Sequence, residues 1–473
     1  MRFSRPKGPA KKSRRAPAKK GGRDRSKTSS KPAGKRAVAA LKPSSEQSLL
    51  WTVTIALFAA GAVMVYSASS ASSALSTNGD PLGYLKRYLV LGAFGLLFMR
   101  FTSKVNLNRV REATPVILAG SFVLLVLVLM PGFGVSVNGA QRWLGAGVLR
   151  FQPSEVMKFA LVLYAAMLIA KDPKRVRNLK SMSNPLFYVI GAALLLIAKQ
   201  PDLGTDIVIC ATLGTILIAA GAKMVDMAKI GAVLAIVIIL FSIVEPYRMA
   251  RLTAFIHPGS DPTGISFQSE QARIAIGSGG VMGRGLGESV QKVFYLPEAH
   301  TDMILAVIGE ELGLLGITAL AGLYFALVIG GLRAAKNSRD AYARLLAIGI
   351  TSMIACQALL NFFAVLGMAP LTGVPLPFIS YGASNLIVML GAMGLLVNVA
   401  SGKHVARVRV IKGGGANERH TQRQRSTKKL AASGGGGAQA SSSGRAKRSR
   451  GHYEDRSRGR GNGGSRRPGT GSR

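Results

Sequence analysis

About ten apolar windows run through the middle of this chain, and they constrain its fold more than any other feature. They cover residues 49–67, 88–101, 115–130, 156–170, 185–198, 206–221, 230–244, 303–332, 345–368 and 385–400. A hydrocarbon core of ~30 Å needs about 20 apolar residues per helix, so the shorter windows must extend into their flanks. Backbone amides and carbonyls find no water at that depth and are satisfied within helices. The expected fold class is all-α, a polytopic membrane domain over residues 48–400 with about ten transmembrane helices. The one long polar interruption, residues 246–301, reads as a large extracytoplasmic loop.

Composition makes sense only by region. A net charge of +40 and a pI near 11.1 point to nucleic acid or an anionic membrane, while a mean hydropathy of +0.29 points to the bilayer. Residues 1–47 and 401–473 hold roughly three-quarters of the net positive charge. Both are too poor in large apolar residues to bury a core, so they read as disordered basic cytoplasmic tails. Such tails suit an anionic inner leaflet at ~1 kcal/mol per basic residue. The Arg/Gly-rich end over 456–467 also has the chemistry of a nucleic-acid binder, a reading ranked below the membrane. Cys210 and Cys356 lie inside apolar windows, which argues against a disulfide framework or a thiolate metal site.

The connections at 100–111, 171–180, 223–229 and 333–344 are rich in Lys and Arg and alternate with poorer ones. The positive-inside rule makes these loops cytoplasmic and, with an even span count, both termini as well. Segments 138–154, 200–205, 246–301 and 369–384 then all face outward.

Each outward segment carries polar residues of interest. His300 and Asp302 stand at the mouth of the longest window, where a carboxylate meets both a lipid-borne group and water-soluble chemistry. Gln152-Pro153-Ser154-Glu155 reads as a helix start capped by Ser154, with Glu155 and Lys158 on one face at i,i+3. That pair suits a sugar or diphosphate, or equally a helix-end ion pair with Lys158 snorkelling to the surface. Arg142 is an outward cation suited to phosphate, and Trp143 reads more readily as an interfacial anchor. Gln200 and Asp202 sit in a very short turn, where a structural ion pair is the favoured role. The glycine run 277–287 imitates a nucleotide loop without the preceding strand, so close packing or a re-entrant segment is expected. Three prolines in 370–384 break the helix and leave Ser380, Tyr381 and Ser384 to line a cavity or a plain re-entrant turn. Glu310 and Glu311 are expected to lock helices together rather than carry protons.

Taken in order, these motifs resemble the SEDS family, the group of FtsW, RodA and SpoVE. The resemblance is carried by Pro297-Glu298-Ala299-His300-Thr301-Asp302 with Gly309-Glu310-Glu311-Leu312-Gly313. The 138–144 segment with Gln152-Pro153-Ser154-Glu155 and Lys158 adds to it, as does Gln200-Pro201-Asp202-Leu203-Gly204-Thr205. So do Pro375-Leu376-Pro377-Phe378-Ile379-Ser380-Tyr381-Gly382 and Gln268, Gln271 with Ala275-Ile276-Gly277-Ser278-Gly279-Gly280. It spans residues 49–400, all but the tails. The resemblance implies a ten-span peptidoglycan glycosyltransferase of the bacterial plasma membrane. Such a protein uses lipid II and works with a class B penicillin-binding protein and other divisome proteins. The family's essential acid falls on Asp302, its cavity-lining pair on Glu155 and Lys158, and its arginine–tryptophan pair on Arg142 and Trp143. Gln200, Asp202, Gln268, Gln271, His300 and Ser380 are further candidates for substrate contact. Gly309 makes the motif more similar to the FtsW branch than to RodA, which implies synthesis at the division septum. One departure is Ala383, where the family usually has a second glycine. If that position needs a positive φ, alanine is strained there.

The implied reaction builds a β-1,4 glycan from an α-linked lipid diphosphate, which requires inversion at the anomeric carbon. Inversion needs one base for the acceptor hydroxyl and neutralisation of the departing undecaprenyl diphosphate. Asp302 is the expected base, held ionised by the helix dipole. Lys158 and Arg142 are the expected clamp, with Glu155 orienting Lys158. A divalent cation, magnesium or manganese, would serve as part of that clamp, but no ligand cluster identifies one and no cofactor is assigned. Two other classes fit the same features. A lipid II flippase would use the outward cavity and the intramembrane acids. A division scaffold would act through the basic tails, and intact Asp302, Glu155 and Lys158 speak against it.

Overall fold

The computed structural model describes residues 44–75, 79–137, 140–145, 150–177, 183–244, 246–257, 265–293 and 295–402. The expectations for both tails lie outside the described residues. The helices are α1 (Ser45–Leu75), α2 (Gly83–Thr102), α3 (Leu107–Leu129), α4 (Pro153–Lys171), α5 (Tyr188–Ala198) and α6 (Leu203–Ala219). They continue as α7 (Met224–Val244), α8 (Pro246–Ile256), α9 (Ile265–Gly279), α10 (Ile304–Asn337), α11 (Ala341–Val365) and α12 (Ala383–Ala400). Every apolar window falls on helical structure. Six helices, α1, α3, α4, α10, α11 and α12, are long and apolar enough to cross a membrane by length and composition. α2 packs Lys86, Arg87 and Arg100 into its length, and α5 and α6 are shorter apolar helices.

Segment 246–301 folds two helices, α8 and α9, within it. Ala272 and Ala275 give α9 a buried small-residue face that packs on α10. Ser154 does not cap α4. Gln152 is the N-cap and Pro153 takes the first helical position, where its fixed φ and missing N–H cost nothing. Ala383 opens α12 without a positive φ, and the Gly382 φ of −164° is extended backbone that any residue adopts. The alanine is therefore unstrained. The sequence also gave no sign of a short antiparallel hairpin, β1 (Gly134–Val137) with β2 (Ala140–Leu144), which carries Arg142 and Trp143.

Helices approach closely where side chains are small, as membrane packing requires. Gly95 and Gly391 let α2 and α12 meet, each against a large side chain of the other, Leu390 and Phe98. Thr102 Oγ donates to the Gly391 carbonyl at 2.9 Å, and Asn398 Nδ2 donates to the Thr102 and Val105 carbonyls.

The longest helix, α10, is opened in its first third. Gly313 has φ 66° and ψ −161°, a conformation closed to other residues. The freed backbone groups are taken up by the glycine run after α9. Arg284 and Gly285 amides donate to the Glu310 and Glu311 carbonyls at 3.0 Å each. Leu314 and Leu315 amides donate to the Gly280 and Val281 carbonyls at 3.0 and 3.2 Å. The run is thus a close-packing element, and backbone broken at this depth is satisfied by protein.

Candidate functional site

The four segments expected to face outward bond to one another. Arg142, on β2, donates through Nε to the Gln200 carbonyl at 3.0 Å and through Nη2 to the Pro201 carbonyl. The Gln152 amide donates to Ser384 Oγ at 2.9 Å, joining the start of α4 to the start of α12. The Tyr381 amide donates to the His300 carbonyl at 3.0 Å, joining segment 369–384 to the mouth of α10.

Asp302 is half-buried, just ahead of the α10 N-cap Met303. Asn361, buried on α11, donates through Nδ2 to the Asp302 carbonyl at 2.8 Å and to the Val374 carbonyl at 2.9 Å. One turn earlier on α11, Gln357 accepts from Lys158 Nζ at 2.9 Å and donates to the Pro375 carbonyl at 2.9 Å. Lys158 pairs with Glu155 at 2.9 Å, and Asn385 Nδ2 donates to the second Glu155 oxygen at 2.8 Å. One helix face therefore ties the acid, the ion pair and the proline-broken segment into a single network. Glu155 and Lys158 are each 2% exposed, so Lys158 does not snorkel. A buried pair survives only with its remaining atoms bonded, and here they are.

Burial pushes the Asp302 carboxyl up from 3.8 to about 6, helped by the Glu298 charge and opposed by Arg251. Removal from water outweighs the helix dipole in setting this value, and a carboxyl at about 6 is still mostly ionised at neutral pH. Burial also lowers the His300 imidazole. His300 packs in an aromatic group with Tyr84 and Tyr381, at ring separations of 4.3 and 5.9 Å.

Other predicted residues take structural positions. The Asp202 carboxylate accepts from the Thr205 amide and hydroxyl, Ser154 Oγ and Gln152 Nε2, at 2.9–3.4 Å. It caps α6 and anchors α4 rather than forming an ion pair. Gln200 is fully buried, with Nε2 on the Leu125 carbonyl at 3.3 Å. Ser380 Oγ accepts from the Leu376 amide at 2.8 Å inside its own turn. Gln268 reaches the Pro297 carbonyl at 3.3 Å, and Gln271 is half-buried on the same helix. Trp143 is half-buried, opposite Val135 in the hairpin. Glu310 accepts from Ser289 Oγ and the Val290 and Gln291 amides, and Glu311 pairs with Lys292 at 2.8 Å and with Ser67. Among the described residues no group of three or more His, Cys, Asp or Glu is placed to hold a metal ion.

Sequence reasoning missed Arg251, on α8. Its Nη1 donates to the Leu371 carbonyl at 2.9 Å, beside Asp302. An arginine in a segment taken for loop carried no periodic signal. Gln357 and Asn361, buried in an apolar window, passed as ordinary polar residues of a helix.

Helices of membrane-crossing length and composition, gathered around a buried polar network, define a multi-pass membrane protein. Residues 47–404 match the family model described as "Cell cycle protein", FtsW/RodA/SpoVE, and the chain belongs to that family. A relative from Trichlorobacter lovleyi, "Probable peptidoglycan glycosyltransferase FtsW", is 40% identical over 358 residues, covering 76% of this chain and 94% of the relative. Stage V sporulation protein E of Bacillus subtilis is 38% identical, covering 76% and 98%. Among solved structures, one described as "Structural coordination of polymerization and crosslinking by a peptidoglycan synthase complex" aligns with a TM-score of 0.61 at 26% identity, covering 74% of this chain and 96% of that one. Rod shape determining protein RodA of Thermus thermophilus aligns at 0.54 and 26%, covering 74% and 95%.

Proposed function

We propose that this protein is a peptidoglycan glycosyltransferase that polymerises lipid II into β-1,4 glycan, with Asp302 as general base. The observation that carries the reading is the Asp302 carboxylate at a helix mouth where four polar segments meet, with burial raising it to about 6. A base works best with a pKa close to the working pH. Asp302 takes the proton of the acceptor hydroxyl, that oxygen attacks the anomeric carbon, and undecaprenyl diphosphate leaves with the bonding electrons. Glu155 and Lys158 bind one another and reach the broken segment at Pro375 through Gln357, so their part is to hold that segment in place. Relatives named as glycosyltransferases support the activity. The likeness to a peptidoglycan synthase complex supports a class B penicillin-binding protein as partner. In this reading ten helices span the plasma membrane, both termini are cytoplasmic, and the protein works at the division septum, which the FtsW-like motif supports.

The test is glycan synthesis from purified lipid II in detergent, with a matched class B partner. Long glycan is the expected product. A flippase has no membrane to move lipid across there, and lipid II left unlengthened with the partner bound would sink the reading.

A further inference from the structure

Arg142 and Lys158, the expected diphosphate cations, bond to residues other than those around Asp302: Arg142 to the carbonyls of the 200–201 turn, and Lys158 to Glu155 and Gln357. The groups around Asp302 come from four elements. Thr301 and Glu298 come from its own segment, Asn361 from α11, Gly373 and Val374 from the broken segment, and Arg251 from α8. Arg251 is the cation among them. Its position is fixed by the 2.9 Å bond from Nη1 to the Leu371 carbonyl. The gap between the two charges is floored by Gly373. A Cβ built there would lie 3.7 Å from Asp302 Oδ2, 3.7 Å from Arg251 Nη1 and 3.8 Å from Nη2. Gly373 has φ +68°, so the backbone conformation itself selects glycine and keeps this notch clear of a side chain.

We infer that Arg251 is a catalytic residue that binds the departing lipid diphosphate in the notch over Gly373, opposite the Asp302 base. The inference rests on the glycosyltransferase reading. As the acceptor oxygen bonds to the anomeric carbon, its proton passes to Asp302. The bond from that carbon to the diphosphate oxygen breaks, and its electron pair becomes negative charge on the diphosphate beside Arg251. A guanidinium presents five donors in a planar fork that matches phosphate oxygens. A base and a leaving-group cation facing one gap are what inverting displacement needs, with no acid.

The experiment compares full-length wild type, Arg251→Gln and Arg251→Lys for polymerisation of lipid II and for binding of a fluorescent polyprenyl diphosphate without turnover. Arg251→Gln is expected to lower kcat by ~10²–10³, the loss typical of one preorganised donor to developing charge, and to weaken diphosphate binding. Arg251→Lys keeps the charge but not the fork and should fall between. Wild-type diphosphate affinity in Arg251→Gln, with activity lost only through a shifted pH profile, would overturn the inference. Should Arg251→Gln fail to fold, Arg251→Lys decides alone: lowered kcat with weakened diphosphate binding supports the role, and wild-type diphosphate affinity rejects it. Wild type that makes no glycan defeats the glycosyltransferase reading and this inference with it, a result separate from unchanged binding in an active protein.

Discussion

Replacing Glu298 by glutamine removes one of the two causes that raise Asp302, and the structure sets the size of the effect. Thr301 Oγ1 donates to Glu298 Oε2 at 2.8 Å and lies 3.2 Å from Asp302 Oδ1. The two carboxylates are therefore no more than about 6 Å apart, where unit charges repel by about 0.7 kcal/mol in bulk water and about 2.8 kcal/mol at an effective dielectric of 20. Glu298 is exposed, which puts the repulsion near the lower figure, or about 0.5–1 pH unit at 1.36 kcal/mol per unit. Asp302 is ionised, and competent as a base, above about 6, and is protonated as pH falls through that value. Wild-type kcat/KM for lipid II should thus fall about tenfold per pH unit on the acid side, with a midpoint near 6. Glu298→Gln should move that midpoint down by about 0.5–1 unit. The assay is initial polymerisation rate against pH for both proteins. A wild-type midpoint near 4, or a Glu298→Gln midpoint that stays or rises, would show that Glu298 does not raise Asp302.

Three further perturbations test the architecture by thermal unfolding in detergent. Lys292→Met leaves Glu311 buried without its cation and should cost about 3–5 kcal/mol, with Glu311→Gln added to it restoring much of the loss; an unchanged Tm would refute the pairing. Gly313→Ala meets both a positive φ, about 1–2 kcal/mol, and overlap with Gly283 and Val281, about 1–3 kcal/mol more. A fully stable Gly313→Ala protein would show that the helix is not opened there. Asp202→Ala strips the α6 cap and leaves Ser154, Thr205 and Gln152 without their acceptor, for a loss of at least about 2 kcal/mol. Loss of lipid II affinity at unchanged Tm would instead make Asp202 a substrate ligand.

Much of this was legible in the sequence because it follows from single residues against an apolar background. Asp302 stood out as an acid ahead of the longest window, and the polar segments that bond to one another stood out between apolar windows. What stayed hidden depends on pairing between distant residues. Glu155 and Lys158 showed their spacing, but their burial under Asn385 and Gln357 comes from α12 and α11, more than 190 positions away. The opening of α10 was written only as a glycine, since the loop that fills it lies near residue 283. The upward pull of burial on Asp302 also stayed hidden, because sequence shows the nearby helix start and not what covers the side chain.

The role of Asp302 as base is tested most directly by polymerisation of purified lipid II with wild type, Asp302→Asn and Asp302→Glu, each bound to the same class B partner. Burial raises the Asp302 carboxyl by roughly two units, so ionisation weakens the folded state as pH rises from 3.8 past about 6. Asp302→Asn should therefore be at least as stable as wild type at neutral pH, which thermal unfolding of the two proteins checks. Glycan is expected from the wild type, none from Asp302→Asn despite intact folding and partner binding, and a weak residue of activity from Asp302→Glu. Glycan from Asp302→Asn at a rate near wild type would contradict that role.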